Sequence, residues 1–315
     1  MEKIKGTNLG NWLVLERWMQ EDIFLKTDAI DETWLYRKGK PEEIKEDITR
    51  HRETYITEAD FKNIADHGLN MVRIPVPYFI FGDVKPYVGC IEYLDKAFVW
   101  AEKYGLKILV DLHTAPGGQN GYDNGGITGV CKWCRQPESV EFCITVLERL
   151  AERYGHHVSL FGIEVLNEPI SPLVYLTSPT RKAAVDKKEA KGSSYVPMKF
   201  LKNFYLETYQ RLRKILPEDK VICFHDGFRL ARWNSFFRRN KMKNVLLDTH
   251  IYIYVMEQIL PVHRMWLYKL YIELETLKIR LAQKNIPVVV GEWCICNMNA
   301  EKMEKPVLME EEWST

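Results

Sequence analysis

Seven short runs rich in valine, isoleucine and leucine recur along the chain, with stretches of helical spacing between them. This alternation constrains the fold more than any other feature. The runs are Ile4 to Leu9, Asn70 to Val76, Lys107 to His113, Leu160 to Asn167, Lys220 to His225, Asn244 to Ile251 and Ile286 to Trp293. Helical spacing is read over Asp60 to His67, Ile91 to Tyr104, Ser139 to Tyr154, Met198 to Leu216, Arg229 to Phe237 and Trp266 to Lys284. Gly68, Gly105 and Gly155 close the first three of these, as glycine commonly does at a helix end. Strands with little apolar–polar alternation are buried on both faces, as in a parallel sheet covered by helices. The expectation is α/β: a (β/α)8 TIM barrel over a single domain, residues 1–315. A doubly wound sheet is the rival. That fold usually carries a glycine-rich phosphate turn after its first strand, and Gly6 to Gly10 is not GxGxxG. The segment beyond Trp293 is short and polar, so the barrel is expected to lack its eighth strand and helix.

The 315 residues include 44 basic and 43 acidic side chains, a balance that favours neither nucleic acid nor an anionic membrane surface. No stretch approaches the roughly 18 apolar residues of a membrane span. The opening MEKIKGTNLGNW lacks the apolar region of a secretory leader, which predicts a cytoplasmic protein, or a secreted one whose leader has been removed. The cysteines are Cys90, Cys131, Cys134, Cys143, Cys223, Cys294 and Cys296, an odd number, several inside apolar runs. They read as reduced, buried thiols. Cys131 and Cys134 form a CxxC with no second half to complete a zinc site. No metal and no organic cofactor is expected. The polar, lysine-rich stretch Ser178 to Ser194 reads as a mobile, solvated insertion on the catalytic face.

In a barrel the C-terminal ends of the strands carry the chemistry. Polar groups sit there repeatedly: Arg73, Asp111 and His113, Asn167 and Glu168, His225 and Asp226, Asp248, His250 and Tyr252, then Glu292. Glu168 and Glu292 each end a very apolar run. Cleaving a glycosidic bond needs such a pair, one carboxylic acid to protonate the leaving oxygen and one carboxylate to attack the anomeric carbon. The two must differ in pKa. Arg73 can hold Glu292 ionised, Tyr252 can donate to it, His250 can tune Glu168, and Asn167 can bind a sugar 2-hydroxyl. Trp18, Tyr122 and Trp293 read equally as sugar-stacking platforms or as core.

The motifs at these positions resemble glycoside hydrolase family 5, and within it the exo-β-1,3-glucanase (glucan 1,3-β-glucosidase) branch. The likeness runs from about residue 5 to residue 293. It is carried by Gly6-Thr-Asn-Leu-Gly-Asn-Trp-Leu-Val-Leu-Glu16, by Asp111-Leu-His-Thr-Ala-Pro-Gly-Gly-Gln-Asn-Gly-Tyr-Asp-Asn124, by Asn167-Glu168-Pro169 and by Gly291-Glu292. The resemblance implies a retaining double displacement with Glu168 as acid/base and Glu292 as nucleophile. It implies that Arg73, His113, Asn167, His250 and Tyr252 complete the catalytic site. It also implies that Glu16 and Asp123 grip the hydroxyls of a terminal glucose, with Tyr122 lining the sugar site. The chain departs from the pattern at Asn11, where the family has glycine, and at Val255, where it tends to carry an aromatic.

These readings converge on a hydrolase releasing terminal β-linked glucose from a β-glucan oligosaccharide or glucoside, with Trp293 beside the nucleophile as a further substrate contact. The alternatives are an inactive carbohydrate-binding remnant and an endo-acting β-glucanase of the same family.

Overall fold

Apolar β-branched runs become strands where helices can cover them, and here they do so in chain order. The computed structural model describes residues 3–253 and 264–294; Val255, Cys296 and everything after Cys294 lie outside the described residues. The strands are β1 (Gly6–Asn8), β2 (Met71–Val76), β3 (Lys107–Leu112), β4 (Leu160–Glu164), β5 (Val221–His225), β6 (Val245–Tyr252) and β7 (Val288–Cys294). All neighbours pair in parallel and the sheet order is the chain order. Among the described residues, seven parallel strands thus curl into a nearly closed (β/α) barrel with helices outside, as the alternation predicts.

Two apolar layers divide the side chains. Residues of one parity, such as Val72, Ile74, Ile108, Val110 and Ile163, join the helices in the outer core. The helix Ile91–Tyr104 contributes Leu94, Ala97, Phe98 and Ala101 to it, a spacing of three and four that keeps one face buried. The other parity faces inward. Met71, Leu109, Val221, Cys223 and Leu246 form a separate cluster with Phe161 and Val289. Each inward row changes character along its strand. Leu109 is followed by Asp111 and His113, Val221 by Cys223 and His225, Leu246 by Asp248 and His250. The period of two therefore fills one end of the barrel with hydrocarbon and the C-terminal end with polar groups.

Sequence periodicity misses the excursion between β1 and β2, which folds into the helices Asp22–Leu25, Glu32–Lys38 and Pro41–Thr54. They bury Ile23, Phe24, Leu35, Tyr36, Ile44 and Ile48 in a core of their own. The excursion is fastened to the segment after β3: Asp31 caps its helix at Trp34 N–H and also accepts from Thr128 N–H at 2.8 Å, while the Thr33 hydroxyl donates to the Gly126 carbonyl at 2.6 Å.

The Ser178–Ser194 insertion is held, not loose. Arg37 grips Glu189 through both guanidinium nitrogens at 2.6 and 2.9 Å, and Lys132 Nζ donates to the Glu189 carbonyl at 2.7 Å. Cys131 N–H donates to Ser193 Oγ at 3.0 Å. Its lysine-rich composition hides these few anchors, because the partners lie far away in sequence.

Candidate active site

Arg73 on β2 is the hub. It is almost fully buried, and its fork of donors is fully used. Nε donates to Glu164 Oε2 at 2.8 Å. Nη1 donates to Asn8 Oδ1 at 3.1 Å and to Glu292 Oε1 at 2.7 Å. Nη2 donates to Asn167 Oδ1 at 2.9 Å and lies 3.0 Å from Asp111 Oδ2. One side chain thus ties β1, β2, β3, β4 and β7 together. It also fixes the Asn167 amide: the oxygen faces the arginine, so the nitrogen faces His113 Nε2 at 3.4 Å.

Glu292 receives donors on both oxygens. Arg73 holds Oε1. The Tyr252 hydroxyl donates to Oε2 at 2.6 Å, and His250 Nδ1 lies 3.4 Å away. Burial pushes this carboxyl up, but His250, Arg73, His113 and Tyr252 outweigh it and hold it well below the usual carboxylate range. Gly291 precedes it for a steric reason. Its N–H donates to Asp248 Oδ1 at 2.6 Å, and a Cβ there would stand 2.0 Å from Asp248 Oδ2.

Glu168 is buried and sits at φ +46°, the left-handed region that non-glycine residues rarely adopt. Its Oε1 is 2.8 Å from His250 Nδ1, and its Oε2 accepts from Asn124 Nδ2 at 3.1 Å. His250 therefore stands between the two glutamates. Burial alone would lower it, but Glu292, Asp248 and its hydrogen bonds to Asp248 and Glu168 keep it well above the normal imidazole range, as an imidazolium. Glu168 Oε1 lies 2.8 Å and Glu292 Oε2 3.4 Å from its Nδ1, so each carboxyl group sends an oxygen to the same point.

His113 is buried and raised in pKa: burial opposes this, but Asp111, 2.5 Å from Nδ1, prevails. Glu16 is buried at the same end, and burial lifts its carboxyl to about 7 against the pull of His113 and of the Trp18 indole N–H, 2.8 Å away. Asp123 is half-buried, raised by desolvation. Tyr122 is half-buried too, its hydroxyl paired with Ser178. Asn11 has φ +57° and accepts from Glu16 N–H at 2.8 Å. The departure from glycine is thus met by asparagine, which tolerates that conformation better than most side chains.

The structure brings together Glu168, Glu292, Arg73, His113, Asn167, His250 and Tyr252, with Glu16, Asp123 and Tyr122 at the rim. Trp293 is the exception. Strand alternation that turns Glu292 inward turns Trp293 outward, where it is 67% exposed. Trp18, 73% exposed, is not core either. Sequence reading did not single out Asn8, Asn124 or Glu164 as site residues. An acid inside the apolar Leu160 to Asn167 run was the available signal for Glu164. Burial lifts that carboxyl well above its ordinary range, against the pull of Arg73.

Two acidic and histidine clusters have metal-like spacing among the described residues: Glu168, His225 and His250, and Glu164, Asp248 and His250. Neither donor set suits a cation. His225 Nδ1 already accepts from Gly227 N–H at 2.9 Å, so the neutral ring carries its proton on Nε2 and has no free lone pair. In the second cluster Arg73 already donates to Glu164 and lies 3.9 Å from Asp248. Cys134 is free, its Sγ 3.0 Å from the Arg135 guanidinium, and Cys131 is free and buried.

Two carboxyl groups thus flank one buried histidine at the C-terminal end of a parallel barrel, the end where such folds carry their chemistry. The profile of the family Cellulase (glycosyl hydrolase family 5) matches residues 36–312, and the chain belongs to that family. It is 38% identical over 303 residues to a probable glucan 1,3-beta-glucosidase A of Emericella nidulans, covering 93% of this chain and 67% of that one. It is 37% identical over 262 residues to a glucan 1,3-beta-glucosidase of Blumeria graminis, covering 80% and 55%. The chain therefore spans between about half and two thirds of the length of these relatives. The crystal structure of a rutinosidase from Aspergillus niger shares the fold, with TM-score 0.73 and 24% identity over 92% of this chain and 79% of that one. No helix among the described residues is long and apolar enough to cross a membrane.

Proposed function

We propose that this chain is a retaining β-glycosidase that hydrolyses terminal β-linked glucose from β-glucans or glucosides, as an exo-β-1,3-glucanase does. One observation carries the reading: Glu168 and Glu292 share His250 as a neighbour, while only Glu292 also has Arg73 and Tyr252 to keep it ionised. Glu292 attacks the anomeric carbon, and Glu168 gives its proton to the departing oxygen. Water then attacks the glycosyl ester, loses its proton to Glu168, and Glu292 leaves as carboxylate. Arg73 and the Tyr252 hydroxyl hold the nucleophile oriented and charged. Asn167, with its amide turned by Arg73, serves the sugar 2-hydroxyl. Glu16 and Asp123 accept hydrogen bonds from hydroxyls of the terminal glucose, which favours release from a chain end. The names of the fungal relatives support a β-glucan substrate.

The test is Glu292→Ala assayed on an aryl β-glucoside. Turnover should fall by at least about 1,000-fold, and added azide should restore it with formation of the α-glucosyl azide. Undiminished hydrolysis would remove Glu292 as nucleophile. On laminari-oligosaccharides the first product should be glucose; early appearance of longer fragments would favour an endo-acting enzyme.

A further inference from the structure

A chain of amides runs from the backbone of the segment after β3 to Glu168. Tyr122 N–H donates to Asn120 Oδ1 at 3.0 Å. A backbone N–H can only donate, so the Asn120 oxygen is fixed there and its nitrogen donates to Asn124 Oδ1 at 2.9 Å. Asn124 must then present its own nitrogen to Glu168 Oε2, 3.1 Å away. Gly125 leaves room for this relay, since a Cβ there would stand 2.3 Å from Asn120 Oδ1. The segment is itself anchored: Gln119 Nε2 donates to the carbonyls of His113 and Asn167, at 2.7 and 3.1 Å. The same side chain thus pins the residue that precedes Glu168.

We propose that Asn124 is a positioning residue for Glu168, holding its carboxyl at Oε2 and strengthening its hydrogen bond as the proton departs. This rests on Glu168 being the acid/base of the proposed reaction. A protonated carboxyl accepts an amide hydrogen bond weakly. The carboxylate left behind by proton transfer accepts it about twice as strongly, so the gain appears in the transition state rather than in the ground state. The left-handed backbone of Glu168 adds a need for such a hold, because a strained residue keeps its geometry only when its surroundings fix it. The charged and titratable groups facing Glu168 are His225 from β5, His250 and Tyr252 from β6, Glu292 from β7, and Tyr122 and Asp123 from the segment itself. None of these is altered by replacing Asn124.

The experiment compares wild type, Asn124→Ala and Asn124→Asp on aryl β-glucosides whose leaving groups differ in basicity. A dinitrophenolate departs without protonation, whereas a plain phenolate needs the acid. Asn124→Ala should lose about tenfold in kcat/KM on the phenyl glucoside and less than about twofold on the dinitrophenyl one. Asn124→Asp sets a carboxylate against Oε2, so the alkaline limb of its kcat/KM profile should move to higher pH. Equal losses on both glucosides, or no loss on either, would overturn the assignment while leaving Glu168 and Glu292 in their roles. If wild-type protein turns over no β-glucoside, or Glu292→Ala remains fully active, the underlying reading falls and this one with it.

Discussion

Asn8 on the first strand reaches across to Gly291 on the last, its Nδ2 donating to the Gly291 carbonyl at 2.8 Å while its Oδ1 accepts from Arg73. No backbone ladder joins β1 to β7 among the described residues, so one amide bridges the two edges of the sheet and touches the cation at the centre of the site. Asn8→Ala would strand the carbonyl and one guanidinium N–H. Leaving partly buried groups unpaired costs about 1–3 kcal/mol. The expected result is a melting temperature lowered by several degrees together with reduced kcat. A variant that melts and turns over like wild type would show that this bridge holds nothing.

Arg73→Lys tests whether the fork matters or only the charge. Lysine supplies a single point charge, and it cannot reach Glu164, Asn8, Glu292 and Asn167 at once. A loss of about 100-fold in kcat is expected, comparable to removing a preorganised donor from an active site. The pH profile supplies the sign. Burial raises the Glu292 carboxyl, and Arg73 is among the groups that draw it down. Weakening that pull makes ionisation harder, so the acid limb of kcat/KM should move to higher pH. An unmoved acid limb would separate Arg73 from the charge state of Glu292.

The inward rows made much of this site legible. Asp111 and His113, or Asp248, His250 and Tyr252, stand two apart in apolar strands, and a period of two sends them into one barrel mouth. The same periodicity sets Trp293 apart from the other site residues. It is next to Glu292 in the chain, and on a strand that places it on the opposite face. Asn124 was hidden in a loop, where no periodicity reports direction; its partner Glu168 is distant in sequence. The helices after β1 left local signals that apolar runs do not capture: Asp31 at an N-cap and Pro41 at a first helical position. What no local pattern carries is the docking of that excursion on Thr128 and Gly126, since both halves of each contact are ordinary polar residues until they meet.

Glu32 predicts how stability varies with pH. It is fully buried, accepts from Leu15 N–H at 3.2 Å, and has Arg52 no nearer than 3.9 Å. Burial lifts its carboxyl to about 7, with Arg52 pulling the other way. The folded state therefore keeps a proton that the unfolded chain releases near its ordinary value of 4.5, and stability falls as pH rises through that window. The full effect would be about 3 kcal/mol, reached only above the folded value. Glu32→Gln should make the decline in melting temperature between roughly pH 5 and pH 8 shallower, leaving the part that Glu16 contributes. If wild type and variant decline in parallel, Glu32 is not the group that titrates.

Gly291→Ala asks how finely Glu292 is placed. The added Cβ would fall 2.0 Å from Asp248 Oδ2, and Asp248 cannot turn aside freely. Its other oxygen accepts from Gly291 N–H, and Oδ2 itself faces His250 and Arg73. The strand must shift instead, carrying Glu292 with it. Overpacking of this kind costs about 1–3 kcal/mol. A displacement of about 1 Å at a reacting group can cost roughly 100-fold in rate. Gly162→Ala is the control, because its Cβ would press on Val221 in the apolar part of the barrel, 2.3 Å from that carbonyl. Both variants should lose stability, measured by thermal melting, but only Gly291→Ala should lose most of its kcat while still folded. Equal retention of kcat in the two would mean that β7 absorbs the methyl without moving Glu292, and the tight seat of that carboxylate would have to be abandoned.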